Sequence, residues 1–337
     1  MRIAIVDDRA LAVEAIRRVL AREDHQIAWV ARDGEDALRK CTADRPDLIL
    51  MDMIMPGMSG ADATRKIMSV APCAIVIVTA TLSGNFSLVY EALGAGAVDA
   101  VSTPTIGLDG SLHGGEPLLA KVAQVAKKLK TAQAGSGTYT PLEMAAVTPA
   151  PSIVAVGAST GGPQAIADVL AELHAGFAGA VLIVQHITAD FTLGLAEWLQ
   201  QKSKFPVRLA HVGEQPQPGT ALMAGRDEHL VMRSDGTLSY TAHPTDTPFR
   251  PNVDVFFQSL ANYAQRPGVG ILLTGMGRDG ANGLLSLRKA GWTTYAQEPT
   301  TCVVSGMPRA AVKIGAAVHV LPPKDIGRSV RTLAKST

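Results

Sequence analysis

The sequence predicts an α/β protein built of two doubly wound parallel-sheet domains joined by a linker. Three observations point there. Short apolar runs alternate with amphipathic segments, the pattern of parallel strands covered on both faces by crossover helices. The alternation stops once, before the middle of the chain, and then starts again. A chain of 337 residues, 47% of them apolar, also has the length of about two ordinary domains.

In the first half the apolar runs are IAIV (3–6), LILM (48–51), AIVIVT (74–79) and AVDAV (97–101). Between them ALAVEAIRRVLAR and GEDALRKCTA carry apolar residues at helical spacing, as does LAKVAQVAKKLK at 119–130. The stretch TAQAGSGTYTPLEMAAVTPAP (131–151) loses this periodicity, and its Ala, Gly, Pro, Ser and Thr suit a linker. The second half resumes with IVAV (153–156), AVLIVQ (180–185), VRLA (207–210) and VGILL (269–273). The expected division is a first domain at 1–125, a helix end and linker at 126–151, and a second domain at 152–335. No short internal repeat is visible.

Composition excludes several classes. Lysine plus arginine (31) nearly balance aspartate plus glutamate (30), which argues against a basic face for nucleic acid. The cysteines, Cys41, Cys73 and Cys302, are odd in number and far apart in sequence. That argues against a disulfide framework or structural zinc and suits a reducing compartment. The opening MRIAIVDD turns acidic too early for a signal peptide, and no run of 18 apolar residues occurs. The expectation is a soluble cytoplasmic protein with no direct membrane insertion.

Acidic residues close the apolar runs of the first half. Asp7 and Asp8 follow IAIV, and Asp52 follows LILM. In an open parallel sheet such groups converge in one crevice beyond the carboxyl ends of the strands. Carboxylates gathered there repel unless a cation sits among them, and Mg²⁺ suits oxygen ligands and retains waters that a phosphate can replace. An aspartate beside Mg²⁺ can attack a phosphoryl group to form an acyl phosphate. Thr79, closing AIVIVT, could offer that phosphate a hydroxyl. Helix capping or a solvated loop explains any one of these acids equally simply. The combination of DD, MDMIMPGMSG and Thr79 resembles the receiver domain of bacterial response regulators over residues 1–125. The resemblance implies that Asp52 is the phosphoacceptor, that Asp7, Asp8 and Asp52 hold Mg²⁺, and that Thr79 is the switch hydroxyl. Receivers usually carry a lysine before the proline that follows the fifth strand. Here VSTPT places Thr103 before Pro104. Threonine donates one neutral hydrogen bond, weaker than a charge-assisted one, so the switch through Thr103 is expected to be altered.

The second half opens on VGASTGGPQA (156–165). A phosphate cradle would need glycine where Ser159 stands, and no Walker lysine follows. As a nucleophile, Ser159 fits G-x-S-x-G on a strand-to-helix turn, with Pro163 in the first helical turn. A third reading is a capping serine in a Gly-Pro turn. A nucleophilic hydroxyl needs a base, and among eight histidines only His186 closes a long apolar run, AVLIVQH. His25, His113, His174 and His319 lie in polar or uncertain contexts, and His211, His229 and His243 in loops or at element edges. The base needs a carboxylate to fix its tautomer. Asp279 follows GILL in TGMGRDGANG, where it also reads as a helix cap. The backbone N–H of Thr160, at a helix start, is placed to stabilise an oxyanion. The order Ser, His, Asp differs from the Ser, Asp, His of α/β-hydrolases.

GASTGGP, VQHI and LLTGMGRDGA resemble the catalytic domain of the CheB family, the protein-glutamate methylesterases of bacterial chemotaxis. FRPNVDVFF (249–257) and CVVSGMPRAA (302–311) are similar to further segments of that family, and the match spans about 152–335. The resemblance implies a flavodoxin-like receiver followed by a Rossmann-like methylesterase domain. It implies that Ser159 attacks a glutamate γ-methyl ester on a chemoreceptor, that His186 is base then acid, and that Asp279 orients it. Thr160 and Met276 become the oxyanion donors, with no cofactor in the catalytic domain. A chemosensory histidine kinase would be the phosphodonor and a methylated chemoreceptor the substrate, with deamidation of receptor glutamines as a second activity. Unphosphorylated, the receiver would cover the catalytic cleft. The S-T-P segment resembles a subgroup serving chemosensory pathways outside flagellar motility, such as the Wsp surface-sensing system. Arg250 reads either as a contact for an acidic receptor segment or as a surface arginine.

Overall fold

A computed structural model describes residues 1–80, 86–107, 109–132, 153–174, 176–247 and 249–333. The chain forms two compact units that part between Thr138 and Tyr139. The predicted linker beyond Ala132 lies outside the described residues.

The first unit runs β1 (Arg2–Val6), α1 (Ala10–Leu20), β2 (Gln26–Ala31), α2 (Gly34–Ala43), β3 (Leu48–Met51) and α3 (Gly60–Val70). It continues with β4 (Ala74–Thr79), α4 (Phe86–Gly94), β5 (Asp99–Ser102), a short ribbon β6 (Thr105–Ile106) and β7 (Leu112–His113), and α5 (Gly115–Ala132). The sheet order is β2-β1-β3-β4-β5, with every pairing parallel. This is the doubly wound flavodoxin-like order, whose crevice opens where the winding reverses, between β1 and β3. Ile3, Ile5, Leu48, Leu50 and Val76 pack with Ile16 and Val19 of α1 and Leu118 and Val122 of α5. Each such side chain removed from water contributes roughly 1.5–3 kcal/mol. Asp33 caps α2 by accepting from the Asp36 N–H, and Ser59 caps α3 by accepting from the Asp62 N–H. Cys41 and Cys73, remote in sequence, bring their sulfurs to 3.9 Å as free thiols.

The second unit runs β8 (Ile153–Ala158), α6 (Gly162–Ala171), β9 (Ala180–Gln185), α7 (Ala189–Ser203), β10 (Val207–Leu209) and β11 (Ala221–Met223). A hairpin β12 (His229–Met232) and β13 (Leu238–Thr241) follows, then α8 (Val253–Tyr263), β14 (Val269–Leu272), α9 (Ala281–Lys289), β15 (Thr293–Gln297), α10 (Gly306–Lys313), β16 (His319–Leu321) and α11 (Pro323–Leu333). Seven parallel strands form one sheet, ordered β10-β11-β9-β8-β14-β15-β16. From β8 the chain winds outward through β9, then returns across β8 to β14. The switch point therefore lies beside the carboxyl end of β8. β8 and β9 are buried along their whole length, as central strands of a sheet covered on both faces must be. Among the described residues no helix is long and apolar enough to cross a membrane.

Candidate active site

Strand register places the predicted nucleophile and base side by side. Ala158 pairs with Gln185, and the His186 N–H donates to the Ala158 carbonyl at 3.0 Å. Ser159 and His186 are thus the next residues on adjacent strands, whose spacing is about 4.8 Å. On the other side the Ser159 N–H donates to the Thr274 carbonyl just past β14, at 3.0 Å. The turn after Ser159 needs glycine. Gly161 has φ +77°, and a Cβ there would lie 2.6 Å from Val303 Cβ. A Cβ on Gly162 would meet Gln185 Oε1 at 2.0 Å.

Asp279 joins them from the loop between β14 and α9. It is 7% exposed, and its Oδ2 accepts from His186 Nε2 at 2.7 Å and from the Val253 N–H at 2.8 Å. Its Oδ1 accepts from the N–H groups of Asp254 (3.0 Å) and Gly280 (2.9 Å). The carboxylate therefore sits on the N-terminus of α8, where a negative charge is favoured. Burial pushes its pKa up, but the His186 hydrogen bond and charge and the two α8 N–H groups outweigh it, so the acid stays below its usual value.

With Nε2 donating to Asp279, His186 carries its lone pair on Nδ1. That nitrogen is buried and has no hydrogen-bond partner among the described residues. The ring stacks on Phe249 with centroids 4.4 Å apart and planes 16° apart, which fixes its orientation. The imidazole–carboxylate bond is thus formed, while the Ser159–His186 bond is not; hydroxyl–base contacts commonly tighten only when substrate is bound. Of the predicted oxyanion donors, the Met276 N–H makes no backbone hydrogen bond among the described residues. Thr160 is buried, and its carbonyl accepts from Thr274 Oγ1 at 2.9 Å. Arg250, beside Phe249, donates to the Thr245 carbonyl at 2.8 Å.

Sequence reasoning missed the groups that brace this site. Gln185 Nε2 donates to the Ser159 carbonyl at 2.8 Å, and Gln297 Oε1 accepts from the Thr274 N–H at 2.8 Å. Gln185 reads only as the end of a strand, and Gln297 lies in no run that the sequence marks. Gly275 packs against the nucleophile. A Cβ there would lie 2.8 Å from Ser159 Cβ and 2.1 Å from Met307 Sδ. Gly275→Ala is therefore expected to cost about 1–3 kcal/mol of stability. It should also lower ester hydrolysis by displacing Ser159. Unchanged melting and turnover would show that the loop yields freely.

The first unit gathers the predicted carboxylates. One oxygen from each of Asp7, Asp8 and Asp52 lies within 4.8 Å of the others, with Asp7 and Asp52 buried and Asp8 exposed. Register explains it, since Val6 pairs with Met51 and the Asp52 N–H donates to the Val6 carbonyl at 2.8 Å. Asp52 Oδ1 accepts from the Met53 N–H at 2.8 Å, and Arg9 Nη2 lies 3.2 Å from Asp7 Oδ2 and 3.4 Å from Asp52 Oδ2. Thr79 and Thr103 are buried on neighbouring strand ends, the Thr103 N–H donating to the Thr79 carbonyl at 3.0 Å. Thr103 Oγ1 has no partner among the described residues. Burial, and then the charge of Asp7, push the Asp52 carboxyl up to about 6 against the pull of Arg9. A carboxyl whose folded pKa is raised destabilises the fold as pH climbs through that value and costs nothing below about 4. Asp52→Asn, with divalent ions chelated, should raise the melting temperature near neutral pH by the equivalent of about 1 kcal/mol after solvent screening, and not at pH below about 4. Coincident melting curves near neutral pH would contradict this.

Known proteins resemble both units. The family profile for the CheB methylesterase matches residues 154–330, and that for the response regulator receiver domain matches residues 3–106. A Burkholderia lata protein named protein-glutamate methylesterase/protein-glutamine glutaminase 2 is 49% identical over 340 residues, covering 99% of each chain. A Pseudomonas aeruginosa protein, protein-glutamate methylesterase/protein-glutamine glutaminase 3, is 49% identical over 322 residues, covering 95% of this chain and 96% of its own. Among solved structures, the Thermotoga maritima CheB methylesterase catalytic domain aligns with a TM-score of 0.52 at 32% identity, covering 54% of this chain and 98% of that one.

Proposed function

The chain belongs to the CheB methylesterase family, with a response-regulator receiver ahead of the catalytic domain, and on that premise we propose how its residues work. It is a phosphorylation-regulated protein-glutamate methylesterase that cleaves glutamate γ-methyl esters on chemoreceptors. The observation that carries the catalytic assignment is the buried His186–Asp279 pair, 2.7 Å apart, one rung from Ser159, with the lone pair on Nδ1 unpartnered.

Ser159 Oγ attacks the ester carbonyl carbon while His186 Nδ1 takes its proton. The imidazolium is stabilised by Asp279, and the oxyanion accepts from the N–H groups of Thr160 and Met276. His186 then gives the proton to the departing methoxide, and methanol leaves. Water, deprotonated by His186, attacks the acyl-enzyme and frees the glutamate carboxylate and Ser159. A positioned base contributes about 10²–10⁴-fold, and an oxyanion donor about 10²–10³-fold. With a receptor glutamine the same steps release ammonia.

In the receiver, Asp7, Asp8 and Asp52 are three hard oxygen donors of the kind Mg²⁺ takes. When bound, the ion neutralises charge on the incoming phosphoryl group. Asp52 Oδ2 accepts that group from a histidine kinase. Thr79 and Thr103 offer hydroxyls, the unpartnered Thr103 Oγ1 standing where receivers usually place lysine. The enzyme acts in the cytoplasm, and the Wsp-like subgroup is the pathway class that its S-T-P segment favours. Methanol release from a methylated receptor, assayed with and without a small phosphodonor and Mg²⁺, tests the whole reading. A phosphorylated chain that binds partners but releases no methanol would replace it with a non-enzymatic regulator.

A further inference from the structure

Asp279 and Asp254 cap one another's helices. Asp279 stands just before α9, yet its carboxylate closes the start of α8 through the N–H groups of Val253 and Asp254. Asp254, in the first turn of α8, closes the start of α9, its Oδ1 accepting from the Gly283 N–H at 2.6 Å. The N-cap of α9 is Gly280, which has no side chain to do this itself. The two helix starts are pressed together at Gly283, where a Cβ would lie 2.7 Å from Phe257 Cβ and 2.9 Å from the Asp254 carbonyl oxygen.

We propose that Asp254 is a positioning residue for the hydrolysis: by tying α9 to α8 it keeps the Asp279 carboxylate aimed at His186. The inference rests on the catalytic role given to Ser159, His186 and Asp279. Asp279 is joined to α9 only through Gly280, at φ +82°, so loosening the first turn of α9 moves the carboxylate directly. Asp254 is a half-buried acid beside another acid, with no ion-pair partner among the described residues. Burial, and the neighbouring charge of Asp279 after it, push its pKa up to about 6 against the Gly283 hydrogen bond.

The test compares Asp254→Ala with Asp254→Asn in the full chain on methylated receptor. Asparagine keeps the acceptor for Gly283 and alanine removes it. Asp254→Ala should lower kcat by about 10–100-fold with KM changed less than about twofold. Its acid limb of kcat should move to lower pH, because a poorly held Asp279 no longer supports imidazolium. Asp254→Asn should retain most of kcat. The downfield proton resonance of the His186–Asp279 bond should persist in Asp254→Asn and broaden or vanish in Asp254→Ala. If alanine melts below the assay temperature, Asp254→Ser, too short to reach Gly283, should show the same losses. Wild-type kcat and resonance in the alanine or serine variant overturn the proposal. So does an equal fall in both alanine and asparagine variants with the pH profile and resonance unmoved. Should the wild type release no methanol, the catalytic reading fails by itself, while the resonance still reports whether Asp254 aligns the pair.

Discussion

Ser159→Ala should abolish methanol release from a methylated receptor, a loss of about 10⁴-fold or more. The reason is positional. Ser159 is held on both sides by backbone bonds, to Thr274 across the sheet and to Gln185 through its carbonyl. The hydroxyl of Thr274 is already engaged with the Thr160 and Val304 carbonyls, so it cannot replace the lost nucleophile. The substitution removes one oxygen from a half-buried position, so the melting temperature should hardly change. His186→Ala should be nearly as severe, and the double variant little worse than either, since groups acting on one proton transfer are not additive. Turnover retained in folded Ser159→Ala would discard the triad.

The second large effect is on control. Asp52→Asn should lose all stimulation by a small phosphodonor with Mg²⁺ while keeping the basal rate. Couplings of this kind run to about 1–3 kcal/mol, or about 5–150-fold in rate. The asparagine keeps the shape of the pocket and its Met53 contact but cannot form an acyl phosphate. Arg9 supplies a positive group at the pocket, and Thr103 brings a neutral hydroxyl to the neighbouring strand end. Stimulation of Asp52→Asn equal to that of the wild type would show that the phosphodonor acts elsewhere.

Much of this architecture is legible in the residues because its central strands are long and buried on both sides. β1, β3, β4, β8, β9 and β14 stand out as apolar runs. Two edge strands, β5 and β10, show as well, within AVDAV and VRLA, but β2, β11, β15 and β16 do not. β2 begins with a polar, exposed Gln26, β11 and β16 are three residues long, and β15 mixes threonine, tyrosine and glutamine. The same contrast holds at the site. Ser159, His186 and Asp52 follow central strands directly, so an apolar run points at each of them. Phe249, Asp254 and Gly275 act through packing against residues remote in sequence, and no local pattern announces that. His229 teaches the opposite lesson. From its place at an element edge it reads as peripheral, yet it is fully buried, its ring accepting from the Asn252 N–H and facing the Pro244 carbonyl.

The three reacting side chains, the helix starts that brace them and the donors for the oxyanion all come from residues 153–333. The neutral Thr103 hydroxyl therefore lies in a unit separate from the residues assigned to the ester chemistry.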